Sequence, residues 1–476
     1  MNTKALRQKI LDLAIHGKLV PQDPNDEPAS VLLQRIKAEK ERLIKEGKIK
    51  RAKKSKATCD KPHYPYQLPE GWEWCKLEDL AYSITDGDHQ APPKVSNGIP
   101  FLVISDVTSE NIDFSNTRYV SQDYYDAIQF HRKPKCGDIL FTVTGSYGIV
   151  VKVSTDKQFC FQRHIGLIKP IVDNDYLVYV LRSQYVKKLC DDLSTGTAQK
   201  TVGLDTLRYF MIPIPPLQEQ SRIVKSIEHW LSLVDCIEEN KNNLQKAIKQ
   251  AKSKILDLAI HGKLVLQDPT DEPATELLKR INPKAEITCD NGQYGKLPKG
   301  WCMTNIGSLF DAVSAKRVLK SEWKNKGIPF YRAREIVQLS KDGFVDKDLF
   351  VSEEHYAELK KKYGVPVCDD IMISAVGSIG YTYIVKKDDI FYYKDASVLC
   401  LKNTNHWNPV FFTIWLASPF LQEQMYKNSK GTTVDTITLE KLKGYAIPLP
   451  PLNEQHRIVA KIEELFAQLD NIAAVL

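Results

Sequence analysis

The order of two repeated motifs is the sequence feature that most constrains the fold of this chain. A 27-residue segment, ILDLAIHGKLVPQDPNDEPASVLLQRI at 10–36, returns at 255–281 with 22 identical residues. A second motif, IPIPPLQEQSRIV at 212–224, returns as IPLPPLNEQHRIV at 447–459. The second motif leads directly into the first in the middle of the chain, whereas at the termini the two are separated. This order predicts a pseudo-two-fold protein whose chain begins and ends inside one repeat, and two similar halves suit a ligand with two similar halves.

Two long segments between these motifs share landmarks but differ elsewhere. They open with LPEGW at 68–72 and LPKGW at 297–301, and each contains a glycine-rich turn, TGSYG at 144–148 or VGSIG at 376–380. Each closes with a Gly-Thr loop before the second motif. Shared landmarks with divergent sequence between them predict one mixed α/β fold of about 150 residues that carries two different surfaces.

Within the first segment, alternating apolar residues predict strands at 101–105, 139–143 and 149–153, the last two forming a hairpin around the glycine-rich turn. Longer periodic stretches predict helices at 175–191 and 408–427.

A heptad pattern of apolar residues runs for five heptads after the central copy of the second motif. Pro215 and Pro216 precede it and Gly262 follows it, as expected for a helix start and stop. At about 1.5 Å per residue such a helix is roughly 65 Å long. The predicted seam consists of Ile223, Ile227, Trp230, Val234, Ile237, Leu244, Ile248, Ile255 and Leu258, together with Ile458, Ile462, Leu465 and Leu469 near the C-terminus.

The apolar residues of the terminal segments have the same heptad phase as those of the central helix. The C-terminal segment matches the first part of that helix, and the N-terminal segment matches its last part. The two termini are therefore predicted to lie end to end and to form an antiparallel partner for the central helix. The resulting fold class is α+β, with two mixed α/β domains separated by a long antiparallel two-helix coiled coil and a circularly permuted repeat. The predicted boundaries are 1–57 for an N-terminal helix and basic linker, 58–211 for the first α/β domain, 212–290 for the central helix region, 291–446 for the second α/β domain and 447–476 for the C-terminal helix.

Composition limits the class of protein and its partners. The formal net charge is +7, which is compatible with a polyanionic partner. Ten basic and three acidic residues at 37–56 form either a solvated helix end and linker or an arm that follows phosphates. No apolar stretch approaches 18 residues and the N-terminus lacks a signal-peptide core, so a cytoplasmic protein without a membrane span is expected. The ten cysteines show no C-x-x-C pair and are expected to be reduced thiols.

No motif for catalysis or phosphate binding is present. The sequence lacks a G-x-x-x-x-G-K-[ST] loop, an H-E-x-x-H metal motif, a G-x-S-x-G serine elbow and the Asn-Pro-Pro-aromatic tetrapeptide of amino-methyltransferases. His16 and His261, at one repeat position, are expected to make helix-end contacts. Three acids in each repeat form either a turn that caps the next helix, near Ala29 and Ala274, or a calcium site. These acids are Asp23, Asp26 and Glu27, and Asp268, Asp271 and Glu272.

Taken together, LDLAIHGKLV at 11 and 256, the two PPL-x-EQ-x-RIV motifs and the LP-x-GW segments resemble the specificity subunit of type I restriction–modification enzymes. The resemblance covers the whole chain. It implies that the α/β domains are target-recognition domains, each reading one half of a bipartite double-stranded DNA target, while the helices set the spacer. It also implies docking of two modification subunits, which hold S-adenosylmethionine, and of restriction subunits, which use ATP and Mg²⁺. The chain itself is expected to be non-catalytic and to bind no cofactor or metal.

Base readout needs hydrogen-bonding side chains on loops presented to the major groove. For each candidate a surface or packing role remains an equal alternative. The candidates in the first domain are Thr85, His89, Gln90, Lys94, Ser146, Tyr147, Gln162, Arg163, His164, Gln199 and Lys200. Those in the second domain are Ser314, Lys316, Arg317, Arg332, Arg334 and Ser378. Because the two sets differ, the two half-sites are expected to differ in sequence.

Two other functions remain as alternatives at this point. One is a DNA methyltransferase or nuclease whose active-site motif has diverged. The other is a coiled-coil scaffold that binds DNA without sequence preference.

Overall fold

The computed structural model describes residues 2–49, 65–90, 92–108, 111–196, 200–287, 296–346, 348–429 and 435–475. The chain divides into two compact units, Met1–Asn240 and Lys241–Leu476, called unit 1 and unit 2 below. Both units combine helices with sheets, which confirms the predicted α+β class. Among the described residues, no helix is both long enough and apolar enough to cross a membrane.

Unit 1 begins with two helices and continues as a mixed domain. Its helices are α1 (Thr3–Ile15), α2 (Ala29–Lys45), α3 (Gln122–Ala127), α4 (Asn174–Leu181), α5 (Gln184–Leu193), α6 (Leu204–Arg208) and the first part of α7 (Leu217–Ile260). Its strands are β1 (Glu73–Lys76), β2 (Ala81–Asp86), β3 (Ile99–Leu102), β4 (Arg118–Val120), β5 (Ile139–Thr142), β6 (Val150–Lys152), β7 (Cys160–Phe161), β8 (Ile165–Pro170) and β9 (Met211–Ile214).

Three sheets organise unit 1. The largest has the order β2-β8-β5-β6 and is antiparallel throughout, the second has the order β4-β3-β7 with β3 parallel to β7, and β1 pairs with β9. All four residues of β5 are buried, as a central strand requires. The predicted hairpin is confirmed as β5 and β6.

Unit 2 begins inside α7 and ends with the last helix of the chain. Its helices after α7 are α8 (Ala274–Ile281), α9 (Ile306–Leu309), α10 (Ala333–Asp342), α11 (Glu353–Tyr363), α12 (Pro409–Leu416), α13 (Pro419–Ser429), α14 (Leu439–Gly444) and α15 (Leu452–Ala474). Its strands are β10 (Cys302–Asn305), β11 (Asp311–Ser314), β12 (Ile328–Tyr331), β13 (Phe350–Val351), β14 (Ile371–Ser374), β15 (Thr382–Ile384), β16 (Tyr392–Tyr393), β17 (Val398–Lys402) and β18 (Ala446–Leu449).

The sheets of unit 2 repeat those of unit 1 strand for strand. Their orders are β11-β17-β14-β15, β13-β12-β16 and β10-β18, again with one parallel pair in the three-stranded sheet. The shared sequence landmarks therefore mark one fold used twice, as predicted. Where the sequences diverge, unit 2 has the helices α10 and α11, whereas unit 1 has a 3-10 turn at Ile104–Asp106 in place of α10 and the shorter α3 in place of α11.

Two helices predicted as single elements are each broken into two. The stretch 175–191 forms α4 and α5, and the stretch 408–427 forms α12 and α13. The hydroxyl of Ser183 accepts a hydrogen bond from the backbone N–H of Val186 and so starts α5 as a cap. In unit 2, Pro419 opens α13, where a proline lacks the N–H that a continuing helix would need. The apolar helical periodicity continues across both breaks, so the sequence pattern predicts one helix where there are two.

Helix α7 comprises 44 residues and ends two residues before Gly262, which has a positive φ of 63°. In unit 1, Arg7 of α1 bonds Asp235 and Glu238 of α7, and Thr3 bonds Glu238, so the two helices are antiparallel. In unit 2, Lys252 of α7 pairs with Asp470 of α15 at 2.5 Å. Arg7 and Asp235 correspond to Lys252 and Asp470 in the repeats, so each unit has the same helix pairing.

Burial along the predicted seam is uneven. Ile223, Ile227, Val234, Ile248, Ile458 and Ile462 are buried, and Ile255, Leu258, Leu465 and Leu469 are half-buried. Trp230, Ile237 and Leu244 are instead 47%, 37% and 39% exposed, so these three positions depart from the prediction. Heptad spacing fixes which face a residue is on, but burial also needs a neighbouring side chain of sufficient size at that level. The expectation that the two termini lie end to end stays a prediction.

The repeated motifs meet in one polar cluster per unit, built around a buried glutamate and a buried tryptophan, which joins the helices to the sheets. In unit 1 the carboxylate of Glu219 accepts hydrogen bonds from Trp72 Nε1 at 3.0 Å and Gln22 Nε2 at 3.2 Å. Arg222 pairs with Asp26 at 2.5 Å beside them. We call these five residues the joint of unit 1.

Unit 2 has the same joint, and its members are the repeat equivalents of those in unit 1. They are Glu454, Trp301, Gln267, Arg457 and Asp271, with the Trp301–Glu454 hydrogen bond at 2.9 Å and the Arg457–Asp271 pair at 2.7 Å. Burial raises the pKa of both Glu219 and Glu454. Each motif thus supplies one part of a polar network around a buried carboxylate, which needs its hydrogen-bond partners.

The three repeated acids take structural roles. Asp23 accepts hydrogen bonds from the backbone and side chain of Asn25, Asp26 is bound to Arg222, and Glu27 pairs with Arg35. The following helix begins at Ala29 as predicted, but Pro28 precedes it and no side chain caps it. No cluster of metal-ligating side chains occurs among the described residues, so the turn interpretation is favoured over calcium.

Candidate nucleic-acid interface

One edge of the large sheet in unit 1 gathers four loops, which we call rim 1. The sheet is antiparallel in the order β2-β8-β5-β6, so β2 and β5 end at the edge where β8 and β6 begin. Rim 1 consists of the loop after β2 (87–90), the β5–β6 turn (143–149), the segment before β8 (162–164) and the described parts of the Gly-Thr loop (194–196 and 200–201). Strand direction brings the first three of these segments to one edge, and backbone pairing of Thr144 with Thr201 adds the Gly-Thr loop.

Backbone hydrogen bonds join the four loops of rim 1 to one another. Arg163 N donates to Asp88 O at 3.0 Å, and Val143 N donates to His164 O at 2.9 Å. Gly145 N donates to Lys200 O at 3.0 Å, which attaches the Gly-Thr loop to the β5–β6 turn. These bonds fix the loops as one surface, as a preorganised recognition site requires.

Arg132 fixes the first loop of rim 1 by hydrogen bonds to its backbone carbonyls. Its guanidinium donates to Asp86 O at 3.1 Å and to Gly87 O at 2.5 Å, and it lies 3.3 Å from the Asp88 carboxylate. Asp88 also accepts a hydrogen bond from Tyr124 Oη at 2.5 Å. Sequence reasoning missed Arg132 because it lies about 45 residues from the loop that it positions, and the sequence itself gives no sign of that contact.

Most predicted residues of the first domain lie on rim 1. His89, Gln90, Ser146, Arg163 and Lys200 are exposed there, and Tyr147, Gln162 and His164 are half-buried beside them. His89 Nε2 lies 2.8 Å from the Asp86 carboxylate, and the Tyr147 hydroxyl donates to Asp191 at 2.9 Å. Burial, reinforced by the charge of Arg163, lowers the pKa of His164, so this ring is neutral at pH 7.

Three predicted residues of the first domain are not among those placed on this surface. Thr85 is a correction: its hydroxyl oxygen is buried within the sheet and has no hydrogen-bond partner in the described part of the chain, so it does not face a ligand. Lys94 is exposed and lines a small hollow with Phe101 and Arg118 of the second sheet. Gln199 lies outside the described residues.

Unit 2 forms rim 2 by the same strand arrangement. Its loops are those after β11 (315–317), between β14 and β15 (375–381) and before β17 (394–397), together with the segment 435–437. The Ser314 hydroxyl accepts from Ala396 N at 3.1 Å, and Gly377 N donates to Asp435 O at 2.9 Å. Lys316, Arg317 and Ser378 are exposed on this rim, as predicted for candidate contacts.

Arg332 and Arg334 are equal candidates by sequence, but they have different environments in the structure. Arg332 is part-buried and donates through Nε and Nη2 to Glu335 at 3.1 and 2.7 Å. Burial would raise the pKa of Glu335, but hydrogen bonds from Arg332 and Arg334 outweigh it and hold that pKa below its usual value. Arg332 thus neutralises a carboxylate that is 2% exposed, which makes it a structural residue.

Arg334 remains a candidate for contact. Its side chain is 63% exposed, and it pairs with Asp348 at 2.5 Å. It lines a shallow cleft with Ala333, Val337, Val376 and Ser378, so it lies next to the β14–β15 turn of rim 2. Its Nε also donates to Glu335 at 2.9 Å, so two carboxylates hold this side chain beside the turn.

Lys394 and Asp395 are rim residues that sequence reasoning missed. They precede β17 as Arg163 and His164 precede β8, but the two segments share no motif. Only the register of β17 with β14 brings them to the rim. Their position before a strand of the large sheet could have indicated that they lie on the rim. The sequence of the second domain differs too much from that of the first for this strand to be aligned.

Most of the described cysteines lie inside the protein. The described cysteines are free thiols, and five of them (Cys75, Cys160, Cys190, Cys302 and Cys400) are buried. Burial raises the pKa of Cys75 and Cys190 to about 12, so neither is a thiolate at neutral pH.

The chain matches the family model for the type I restriction modification DNA specificity domain twice, at residues 69–246 and 298–475. The type I restriction enzyme EcoAI specificity subunit of Escherichia coli is 28% identical, with 99% of this chain and 90% of that protein aligned. The EcoEI specificity subunit of Escherichia coli is 26% identical over the same shares.

Solved structures share the fold. A chain of a type I R-M system, studied for its complex assembly and conformational transition, has a TM-score of 0.57 at 20% identity, covering 86% of this chain and 94% of that chain. The HsdS subunit of Thermoanaerobacter tengcongensis has a TM-score of 0.51 at 18% identity, with 86% and 93% covered.

Proposed function

The chain belongs to the family of type I restriction–modification DNA specificity subunits, and on this basis we propose that rim 1 and rim 2 each read one half of a bipartite double-stranded DNA target. As a specificity subunit the chain is a DNA-recognition component and not an enzyme. In this proposal the helices set the number of unread bases between the half-sites. The two boundaries near 58 and 291 mark where each reading domain begins.

One observation carries the proposal: two units with the same strand order and the same joint present different side chains on equivalent rims. Rim 1 presents Arg163 and Lys200, whereas rim 2 presents Lys316 and Arg317. Arginine and lysine on a major-groove surface hydrogen-bond to guanine, and amides pair with adenine. A common frame with exchanged surface residues is what two unlike half-sites require.

We also propose that this chain assembles with two modification subunits and with restriction subunits. The support is the near-identity of the two 27-residue repeats, which gives each unit the same surface for one kind of partner. S-adenosylmethionine, ATP and Mg²⁺ are then bound by those partners and not by this chain. The protein acts in the cytoplasm in this proposal, where reduced thiols and chromosomal DNA are both found.

The test is the methylated sequence of genomic DNA in cells with and without this chain. We expect a bipartite motif with two unlike half-sites and a fixed number of unspecified bases between them. Alanine at Arg163 should relax the first half-site alone, and alanine at Arg317 the second alone.

Three results would contradict the proposal. Methylation that persisted unchanged without the chain would remove its role in recognition. Methyl transfer by the purified chain alone would favour a divergent methyltransferase, and equal affinity for all duplexes would favour a sequence-neutral scaffold.

A further inference from the structure

Helix α10 is a surface element of unit 2 that has a different counterpart in unit 1. The segments that follow β3 and β12 start alike, because the Asp106 carboxylate accepts from Val103 N and the Glu335 carboxylate accepts from Arg332 N, each at 2.8 Å. A 3-10 turn of three residues forms at this place in unit 1, whereas a helix of ten residues forms in unit 2. Helix α10 is therefore an addition to the frame that the two units share.

Helix α10 packs on the large sheet of unit 2 by one face. Ile336 and Leu339 are buried in a cluster with Met372 of β14 and Tyr383 of β15. Residues that are three, four and seven positions apart lie together on one face of a helix. The face of α10 that points away from the sheet, which we call its outer face, carries Arg334, Val337, Gln338 and Lys341.

The outer face of α10 adjoins rim 2 at both of its ends. At the first end, Arg334 lines the cleft that contains Val376 and Ser378 of the β14–β15 turn. At the other end, Lys341 Nζ lies 4.9 Å from the centre of the Tyr381 ring, which belongs to the same turn. The helix thus runs beside the turn and extends the surface of rim 2.

The chemistry of the outer face suits the edges of bases. Arg334 and Lys341 are exposed, and Val337 and Gln338 are half-buried. The side-chain amide of Gln338 makes no hydrogen bond to another residue in the described part of the chain, so its donors and its acceptor are available. None of the four residues is acidic, and Glu335 of the first turn is only 2% exposed.

We infer that α10 enters the major groove of the second half-site and reads base pairs through its outer face; this inference rests on the proposed function. A helix with its side chains is about 10–12 Å across and the major groove is about 12 Å wide, so the groove admits the helix. Arginine and lysine hydrogen-bond to guanine, glutamine pairs with adenine, and an apolar side chain contacts the methyl group of thymine. Unit 2 then reads with a helix at the place where unit 1 has a 3-10 turn.

The rise of the helix limits which base pairs its side chains reach. Arg334 and Gln338 are about 6 Å apart along the axis, and Arg334 and Lys341 are about 10.5 Å apart. Successive base pairs are about 3.4 Å apart. A helix that lies along the groove therefore brings the three side chains to a run of about four consecutive base pairs.

The test measures base preferences of the full chain assembled with modification subunits. Each duplex carries the methylated motif with one base pair of the second half-site changed, and its affinity is compared with that of the unchanged motif. Gln338→Ala should lower the preference at one A·T pair by about 5- to 150-fold, because a bidentate contact is lost. Lys341→Ala should have a similar effect at a G·C pair in the same run, and neither variant should change the first half-site.

Two control variants separate base contacts from changes in folding or in net charge. Ser340→Ala alters an exposed residue of the same helix that lies about 160° around the axis from Gln338. Lys387→Ala removes an exposed lysine after β15, at the sheet edge opposite rim 2, and so matches the loss of charge at Lys341. Both controls should leave every preference unchanged.

A gain of preference gives a result that misfolding cannot produce. Gln338→Glu should change the preferred base at its position from adenine to cytosine, because a carboxylate accepts a hydrogen bond from the amino group of cytosine. Unchanged preferences in both alanine variants, or an equal loss of affinity on the motif and on a scrambled duplex, would overturn the inference. A wild-type assembly with equal affinity for every duplex would instead overturn the proposed function.

Discussion

At the scale of single residues, a side chain's neighbours decide whether it is available to a ligand. Arg332 and Arg334 are two positions apart and both bond the buried Glu335, yet Arg332 is part-buried and bonds it twice, whereas Arg334 is mostly exposed and lines a cleft beside rim 2. Thr85 is likewise removed from the candidate set by the burial of its hydroxyl. Residue type and position in the sequence do not show whether a side chain is buried or exposed.

These two arginines should respond oppositely to alanine substitution. Arg334→Ala should relax one position of the second half-site by about 1–3 kcal/mol while unit 2 stays folded. Arg332→Ala should destabilise unit 2 by about 3 kcal/mol, because Glu335 then lacks its main buried partner. Duplex-variant binding and chemical denaturation measure the two effects, and a specificity change from Arg332→Ala without loss of stability would contradict the assignment.

The joint makes a second prediction at this scale. Trp72→Phe removes a hydrogen bond to the ionised form of Glu219 and should destabilise unit 1 by about 1.5–3 kcal/mol at pH 8. The pKa of Glu219 is already raised in the folded protein, and losing the donor raises it further, so the folded state binds its proton up to a higher pH than the unfolded state. Stability then falls as pH rises, and the loss should be smaller at pH 5 than at pH 8. Trp301→Phe should give the same pattern in unit 2, and a loss independent of pH would exclude this origin.

At the scale of elements, the ends of helices are fixed by backbone geometry that few residues allow. Gly17 and Gly262 follow α1 and α7 with φ of 65° and 63°. A Cβ at Gly17 would lie 2.4 Å from Pro69 Cγ, and one at Gly262 would lie 2.3 Å from Pro298 Cγ. The glycine of each IHGKLV motif is therefore required by the proline of an LP-x-GW motif, which explains why the two motifs repeat together.

Substitution of these glycines should show the contribution of that contact. Gly17→Ala should cost more than Gly47→Ala, since Gly47 has a similar φ of 70° but nothing within 4 Å of an added Cβ. The Gly47 variant should lose only about 1–2 kcal/mol from backbone strain. Thermal denaturation of both variants gives the difference, and equal losses would show that the proline contact is unimportant.

At the scale of the whole molecule, the chain contains two copies of one frame, which consists of the paired helices, the strand order and the joint. Each copy carries its own rim, and the two rims differ in sequence. The proposed function assigns the frame to partner binding and spacing, and the rims to base recognition. Their separation in sequence means that spacing and recognition should be alterable independently.

Lengthening α7 tests this independence. An insertion of seven helical residues between Lys241 and Lys252 adds about 10.5 Å and leaves the helix face nearly unchanged, with a drift of about 20°. The preferred spacer should lengthen by about three base pairs while both half-sites stay the same. The methylated motif measures this directly, and altered half-site sequences would contradict the assignment of the helix as spacer.

The sequence by itself determined the repeated frame: the α+β class, the two similar domains, the long central helix and its antiparallel helix pairs. These features depend on periodicity and on motifs that are local in the chain and present twice, so they can be read without knowing which residues meet. The tertiary structure decided which side chains are exposed on the rims. Arg132 and the segment 394–397 reach those surfaces through strand order and register, and contacts between residues far apart in the chain leave no periodic signal. For the same reason Trp230, Ile237 and Leu244 follow the heptad pattern and are nevertheless exposed.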